Sequence, residues 1–167
     1  MTDGAGTTAL QIAPATPSDI PLMLAFIREL AEYEHLAHEV RATEELLREE
    51  MFGARPVVEA LIARVGDEPA GWVLFFHNFS TFLTRRGIYL EDLYVRPRWR
   101  GAGIGRALLS TLARTTVDRG GGRLEWSVLD WNESAIRFYH AIGAEAMDQW
   151  TTFRLSGEAL TRVANGT

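Results

Sequence analysis

Glu91 and Asp92 are adjacent carboxylates inside an otherwise apolar and aromatic run, Ile88 to Val95. A carboxylate in such a setting can take a proton from a substrate or hold a cation. Side chains alternate along a strand, so only one of the two serves a given face unless a bulge resets the alternation. Downstream, Arg100-Gly101-Ala102-Gly103-Ile104-Gly105-Arg106 joins this run to an amphipathic stretch. Glycines let the backbone adopt positive φ and approach a ligand closely. Free N–H groups at a helix start, with the helix dipole behind them, favour a phosphate. Arg98, Arg100 and Arg106 add positive charge nearby. Tyr139, a phenol that can donate a proton, follows Asn132 by seven residues, or two helical turns, so both share one helix face.

The glycine loop does not match the common nucleotide motifs. A dinucleotide fingerprint needs a third Gly or Ala three residues after the second glycine, where Arg106 or Leu108 stands instead. A P-loop needs Gly-Lys-Ser/Thr after four spacer residues, and the chain has none. No Gly-x-Ser-x-Gly elbow supports serine hydrolysis. The absence of cysteine rules out disulfides, Cys-ligated zinc and thiol catalysis. His35 and His38 could share a helix face, but no third residue has metal-like spacing, so no metal is expected.

The elements that must position these residues follow from periodicity and punctuation. Leu10 and Ile12 mark a short strand ended by Pro14 and Pro17. Thr16 to Asp19 can start a helix in which Ile20, Leu24, Ile27, Leu30 and Ala31 recur at helical spacing, to about Glu34. Thr43 can cap a second helix carrying Leu46, Leu47 and Met51, stopped by Gly53 and Pro56. Val57 to Val65 and Gly71 to Phe79 read as strands around a Gly66-Asp67-Glu68-Pro69 turn, followed by a loop from Ser80 to Gly87 and a strand from Ile88 to Val95. Ile104, Ala107, Leu108, Thr111 and Leu112 line a helix that ends at Gly120-Gly121-Gly122. A strand over Leu124 to Leu129 comes next. Asn132 can then cap a short helix closed by Gly143, and a last strand pair fits in Ala144 to Leu155. That order is mixed α/β on one sheet.

The loop Arg100 to Gly105 resembles the Arg/Gln-x-x-Gly-x-Gly/Ala motif of the GNAT acetyltransferases. Tyr89-Leu90-Glu91-Asp92-Leu93-Tyr94-Val95, Trp131-Asn132-Glu133-Ser134 and Arg137-Phe138-Tyr139 are similar to the spermidine/spermine and thialysine acetyltransferase branch. The likeness runs in order from about Ile12 to about Leu155. It implies the GNAT fold, with a mixed sheet of about six to seven strands flanked by about four helices. It also implies acetyl-CoA as cosubstrate, with its pyrophosphate on the amides from Gly101 through Ala102, Gly103 and Ile104 to Gly105, beside Arg100 and Arg106. Its pantetheine arm would pair with the backbone of Leu93 and Val95, near Asn132. The resemblance makes Tyr139 the acid that protonates the leaving thiolate and Glu91 the base, directly or through a water. It places Asp92, Tyr33 and Glu34 at the amine. Each has a plainer reading: Tyr139 as a core aromatic, Asn132 as a helix cap, and the carboxylates as solvated ends of a strand and a helix.

Departures from the branch bear on the acceptor. Ala13 stands where the family often has Arg, the segment His35-Leu36-Ala37-His38 is poor in acid, and Arg85 and Arg86 add positive charge. A diamine or a lysine-like amino acid fits these changes at least as well as a polyamine. A non-catalytic acyl-CoA sensor, and an enzyme acting on a protein N-terminus or an aminoglycoside, are the alternatives.

At 167 residues the chain fits one domain, expected over residues 9–162 between an N-terminal tail 1–8 and a C-terminal tail 163–167. Seventeen basic against 22 acidic residues give a net charge of −5, which disfavours nucleic acid as a partner and suits a cationic substrate. No apolar run is long enough for a membrane helix, and no secretory signal is present, so no membrane partner is expected. Cytoplasmic residence is compatible with the absence of cysteine. The resemblance implies a homodimer with the amine site near the subunit boundary.

Overall fold

The computed structural model describes residues 9–166, so the expected tail Met1 to Thr8 lies outside the described residues, as does Thr167. Two compact units divide after Ser127.

The first unit is built on a five-stranded mixed sheet in the order β1-β2-β3-β4-β5. Its strands are β1 (Leu10–Pro14), β2 (Glu59–Val65), β3 (Glu68–Ser80), β4 (Arg85–Val95) and β5 (Leu124–Trp126). Successive pairs are antiparallel except β4 and β5, which are parallel. The turn between β2 and β3 is tighter than expected. Gly66 supplies the positive φ (61°), while Glu68 and Pro69 already belong to β3. β4 begins at Arg85, inside the segment expected as loop, because Gly87, Arg86 and Arg85 pair with Asn78, Phe79 and Ser80.

Helix α1 (Ile20–Tyr33) follows a 3-10 turn at Pro17–Asp19, where the Asp19 carboxylate accepts from the Thr16 N–H at 2.8 Å. Thr43 caps α2 (Glu44–Phe52), its hydroxyl accepting from the Leu46 N–H at 3.2 Å. Ile20, Met23 and Phe26 of α1 and Met51 of α2 bury against Ile62, Trp72, Leu74 and Tyr94. Phe26 stacks on Trp72 at 5.8 Å and meets Tyr94 edge-on at 6.1 Å. Helix α3 (Ile104–Asp118) packs against β3 and β4 and buries Ile104, Leu108, Leu109 and Leu112.

The second unit holds α4 (Glu133–Ala141) and α5 (Gly157–Ala164). Gly143 after α4 has φ 89°, the left-handed conformation expected of a helix-ending glycine. Two expectations are corrected here. Residues 144–155 form no strands, so the sheet has five strands rather than six or seven. Residues 157–164 form a fifth helix where about four were expected, and it takes in Val163 and Ala164 from the expected tail. Strand residues need a ladder to satisfy their backbone, and no strand among the described residues pairs with 144–155. Helix α5 starts after an extended Ser156, with Glu158 in its first turn and Arg162 in its last, which complements the helix dipole.

Candidate functional site

The centre of the site is an irregularity in β4. Leu74 pairs with Asp92 and Phe75 with Leu90, so Glu91 is an extra residue without a Cα partner on β3. This is a β-bulge, and it falls inside the carboxylate pair. Glu91 is exposed, whereas Asp92 is half-buried. Beyond the bulge, Asp92 and Tyr94 face α1: Asp92 lines a cavity with residues of that helix, and Tyr94 lies against Phe26. Leu93 and Val95 face α3, since a Cβ placed on Gly105 would sit 3.9 Å from Leu93 Cδ2 and 3.8 Å from Val95 Cγ2.

The β4 ladder with β5 covers only Ile88 to Leu90. From Glu91 to Val95 that edge of β4 is open. The Arg96 N–H donates to the Ala70 carbonyl at 2.9 Å, which makes Gly71↔Val95 a non-hydrogen-bonded pair. Alternation then turns the main-chain groups of Leu93 and Val95 toward the open edge, where an extended chain could pair with them. Arg100 already takes one of these groups, its Nε donating to the Val95 carbonyl at 2.9 Å.

The glycine loop sits at the end of the same edge. Gly101 and Gly103 adopt φ 80° and 79°, and Gly103 caps α3. A Cβ built on either would meet nothing within 4 Å, so these glycines serve backbone conformation and leave open space before the helix. The first-turn N–H groups of Ile104, Gly105 and Arg106 have no carbonyl behind them in the helix and point into that space. Together they fit a phosphate-bearing group with an extended arm. Arg106 is exposed. Arg98 pairs with Glu68 at 2.8 Å, and Arg100 stacks on Tyr33 (4.6 Å) and lies 5.7 Å from the ring of Tyr94. Arg100 thus ties the glycine loop both to β4 and to the end of α1.

On the α1 side a cavity of about 180 Å³ is lined by Ile27, Leu30, Ala31, Glu34, Leu36, Glu39, Val40 and Asp92. It combines apolar walls with three carboxylates. Burial, then the negative charges of Glu91 and Glu34, push the Asp92 carboxyl up from 3.8 to about 7. Burial also raises Glu34. A cation entering the cavity would relieve this excess of negative charge.

The structure therefore brings Asp92 and Glu34 together, with Tyr33 beside them under Arg100. It sets Leu93, Val95 and the glycine loop along one open edge. Asn132 and Tyr139 belong to the second unit. There Asn132 caps α4, its Oδ1 accepting from the Ala135 N–H at 3.3 Å, and Tyr139 lies on α4 with its ring 5.4 Å from that of Phe138. Sequence reasoning missed Leu36, Glu39 and Val40 as cavity wall. A partial signal was present, because the Ile27, Leu30, Ala31 stripe continues at helical spacing into an acid, Glu34. Among the described residues no cluster of three or more His, Cys, Asp or Glu is placed to hold a metal ion, and no helix is long and apolar enough to cross a membrane.

A parallel pair of strands that ends at a bulge, with a glycine-capped helix beyond it, leaves an open strand edge beside the free N–H groups of a helix start. The profile of the acetyltransferase (GNAT) family matches residues 24–144, and the chain belongs to that family. It is an N-acetyltransferase, and the family's acetyl donor is acetyl-CoA. The chain is 38% identical to a thialysine N-epsilon-acetyltransferase of Bos taurus over 93% of its length and 97% of that protein's. It is 31% identical to an L-ornithine N5-acetyltransferase of Arabidopsis thaliana, covering 92% of this chain and 87% of the other. Among solved structures, an integron cassette protein from the mobile metagenome of V. cholerae superposes with a TM-score of 0.78 at 26% identity, over 93% of this chain and 97% of that one.

Proposed function

We propose that the protein transfers the acetyl group of acetyl-CoA to a primary amine of a small molecule, a diamine, polyamine or lysine-like amino acid, in a ternary complex. The observation that carries this is the Asp92 cavity: a half-buried carboxyl titrating near neutrality, at the end of apolar walls that suit an alkyl chain. The amine arrives as an ammonium ion, which pairs with Asp92 and Glu34. It must then lose a proton before it can attack. Asp92 is poised to accept that proton at about pH 7. Glu91, the base implied by family likeness, acts from the bulge through a water, and its charge keeps the proton affinity of Asp92 high.

The residues present fit acetyl-CoA. The amides of Gly101, Ala102, Gly103, Ile104 and Gly105, with Arg100 and Arg106, would hold its diphosphate, and Leu93 and Val95 its extended arm; family likeness adds Asn132 to the coenzyme-binding residues. The coenzyme supplies the activated thioester. Tyr139 would donate the proton to the departing sulfur, the role that family likeness gives it.

The chain is further proposed to work in the cytoplasm as a homodimer. The exposed apolar Met147, Trp150, Phe153 and Leu155 support the dimer, since a second copy would remove them from water. Sedimentation of the purified protein at micromolar concentration tests this point, and a monomer would refute it.

Thiol release from acetyl-CoA over a panel of diamines, polyamines and lysine analogues tests the activity. Steady turnover with at least one amine is expected. Coenzyme binding without turnover of any amine would leave the sensor reading instead.

A further inference from the structure

The last rung of the β4–β5 ladder is Leu90↔Trp126. One step beyond it stand Glu91, the bulged residue, on β4 and Ser127 after β5, and there the backbone pairing ends. A side-chain bond spans the strands at this fork: the hydroxyl oxygens of Tyr89 and Ser127 lie 2.7 Å apart. Phe76 braces the phenol, with its ring centroid 5.2 Å from that of Tyr89. Neither hydroxyl has a part in the chemistry proposed above.

The bulge decides which face of the sheet carries this bond. Tyr89 pairs with Phe76 and Asp92 with Leu74, and residues two apart on β3 share a face. On a regular strand Tyr89 and Asp92, three residues apart, would fall on opposite faces. The extra residue Glu91 brings them to the same one. The Tyr89–Ser127 bond therefore lies on the face from which Asp92 reaches its cavity. Little else fixes β5 on this face. Its ladder with β4 is three residues long. One further tie holds its middle: Asn78 of β3 donates to the Glu125 carboxylate at 2.7 Å, across Gly87, where a Cβ would collide with Asn78.

In the coenzyme reading given above, the extended arm runs from the glycine loop along Val95 and Leu93, so its thioester end arrives at the fork. The acyl group then sits beside Glu91 and Ser127, and the spread of β4 and β5 at that point bounds its size. We infer that the Tyr89–Ser127 hydrogen bond sets this spread and thereby makes the site selective for a short acyl chain. Tyr89 and Ser127 are positioning residues, acting through the separation of the strands that carry them. The inference rests on the coenzyme reading and adds to it a determinant of acyl specificity.

Calorimetry of the full chain with CoA, acetyl-CoA and butyryl-CoA tests this without any acceptor amine. It compares wild type, Tyr89→Phe, Ser127→Ala, the double variant and Ser127→Thr. Wild type is expected to bind acetyl-CoA more tightly than butyryl-CoA. Tyr89→Phe and Ser127→Ala should each cut that preference by about fivefold, the scale of one hydrogen bond. Affinity for CoA itself, which carries no acyl group, should hold. The double variant should lose no more than either single variant, since both remove the same bond. Ser127→Thr retains a hydroxyl and should retain the preference. No preference in wild type, an unchanged preference in the single variants, additive losses in the double variant, or an equal loss for CoA and both acyl-CoAs would overturn the inference. Wild type that binds none of the three would instead sink the coenzyme reading.

Discussion

The guanidinium of Arg100 lies 4.6 Å above the ring of Tyr33, so the residue that opens the glycine loop touches the end of the helix that walls the Asp92 cavity. The same guanidinium holds the Val95 carbonyl through Nε. Order in the glycine loop and order at the end of α1 are thereby linked. An exposed cation–π contact contributes about 0.5–1 kcal/mol. Tyr33→Leu is therefore expected to weaken CoA binding by about two- to fivefold, although Tyr33 lies on the Asp92 side of β4. Calorimetry with CoA reads this directly, and an unchanged affinity would show that the contact carries no coupling.

Asp92 makes activity and stability depend on pH in opposite directions. Its carboxyl loses a proton near 3.8 when unfolded and at about 7 when folded. The advantage of the protonated folded form is full below pH 3.8 and is lost as pH rises to about 7. Above neutrality, burying the charged form costs about 4 kcal/mol, at 1.36 kcal/mol per pH unit. Asp92→Asn removes this cost, so the variant should melt above wild type at pH 8, by a margin that shrinks toward pH 4.5. Its turnover should nonetheless fall by about a hundredfold or more, the scale of losing a positioned base. A variant that melts higher at pH 4.5 than at pH 8, relative to wild type, would contradict the burial of Asp92.

Glu91 should reveal itself in the pH profile. In wild type, kcat/KM is expected to rise with pH through about 7 as free Asp92 ionises. Glu91→Gln removes a negative charge that raises Asp92, so the rising limb should move to lower pH. If Glu91 is the sole proton acceptor, the limb disappears and the rate stays low at every pH.

Local chemistry made most of the first unit legible. Thr43 capped its helix, the α1 stripe turned inward, and the loop from Arg100 to Gly105 opened a helix after a strand, because caps, periodicity and glycine conformation are short-range effects. The bulge at Glu91 was foreseeable only as an exception to alternation, since register depends on how β3 pairs along its length. The cavity wall at Leu36, Glu39 and Val40 left only the partial signal of the α1 stripe running into Glu34, for the segment after α1 carries no period of its own that reveals what it covers. Residues 144–155 misled for the complementary reason. Apolar and aromatic residues such as Trp150 and Phe153 read as strand, yet a strand exists only where a partner lies alongside.

The loop glycines should separate folding from coenzyme binding. Gly103 has φ 79° with free space around its Cα, so Gly103→Ala meets no clash but forces a left-handed alanine, at about 1–2 kcal/mol. Gly105 carries no such φ, and an added Cβ would make ordinary contacts with Leu93 and Val95 at 3.8–3.9 Å. Gly105→Ala is expected to melt with wild type or slightly above it, because alanine favours a helix. It should nevertheless bind CoA more weakly, since the coenzyme is proposed to lie against the Gly105 backbone. Thermal melts paired with calorimetry distinguish the two variants. Wild-type affinity in Gly105→Ala would mean that the coenzyme does not approach that backbone.

Tyr139→Phe tests the acid. The substitution keeps the ring, its packing against Phe138 and the helix propensity of α4, and removes only the hydroxyl. If that hydroxyl protonates the departing thiolate, turnover should fall by more than about tenfold, within the range for general-acid catalysis. CoA affinity and melting temperature should hold. The loss should be smaller with an acyl donor whose thiol is more acidic, because a better leaving group needs less help from the acid. A uniform loss across donors of different thiol acidity would instead indicate that Tyr139 positions the site, and full activity in Tyr139→Phe would remove it from the chemistry.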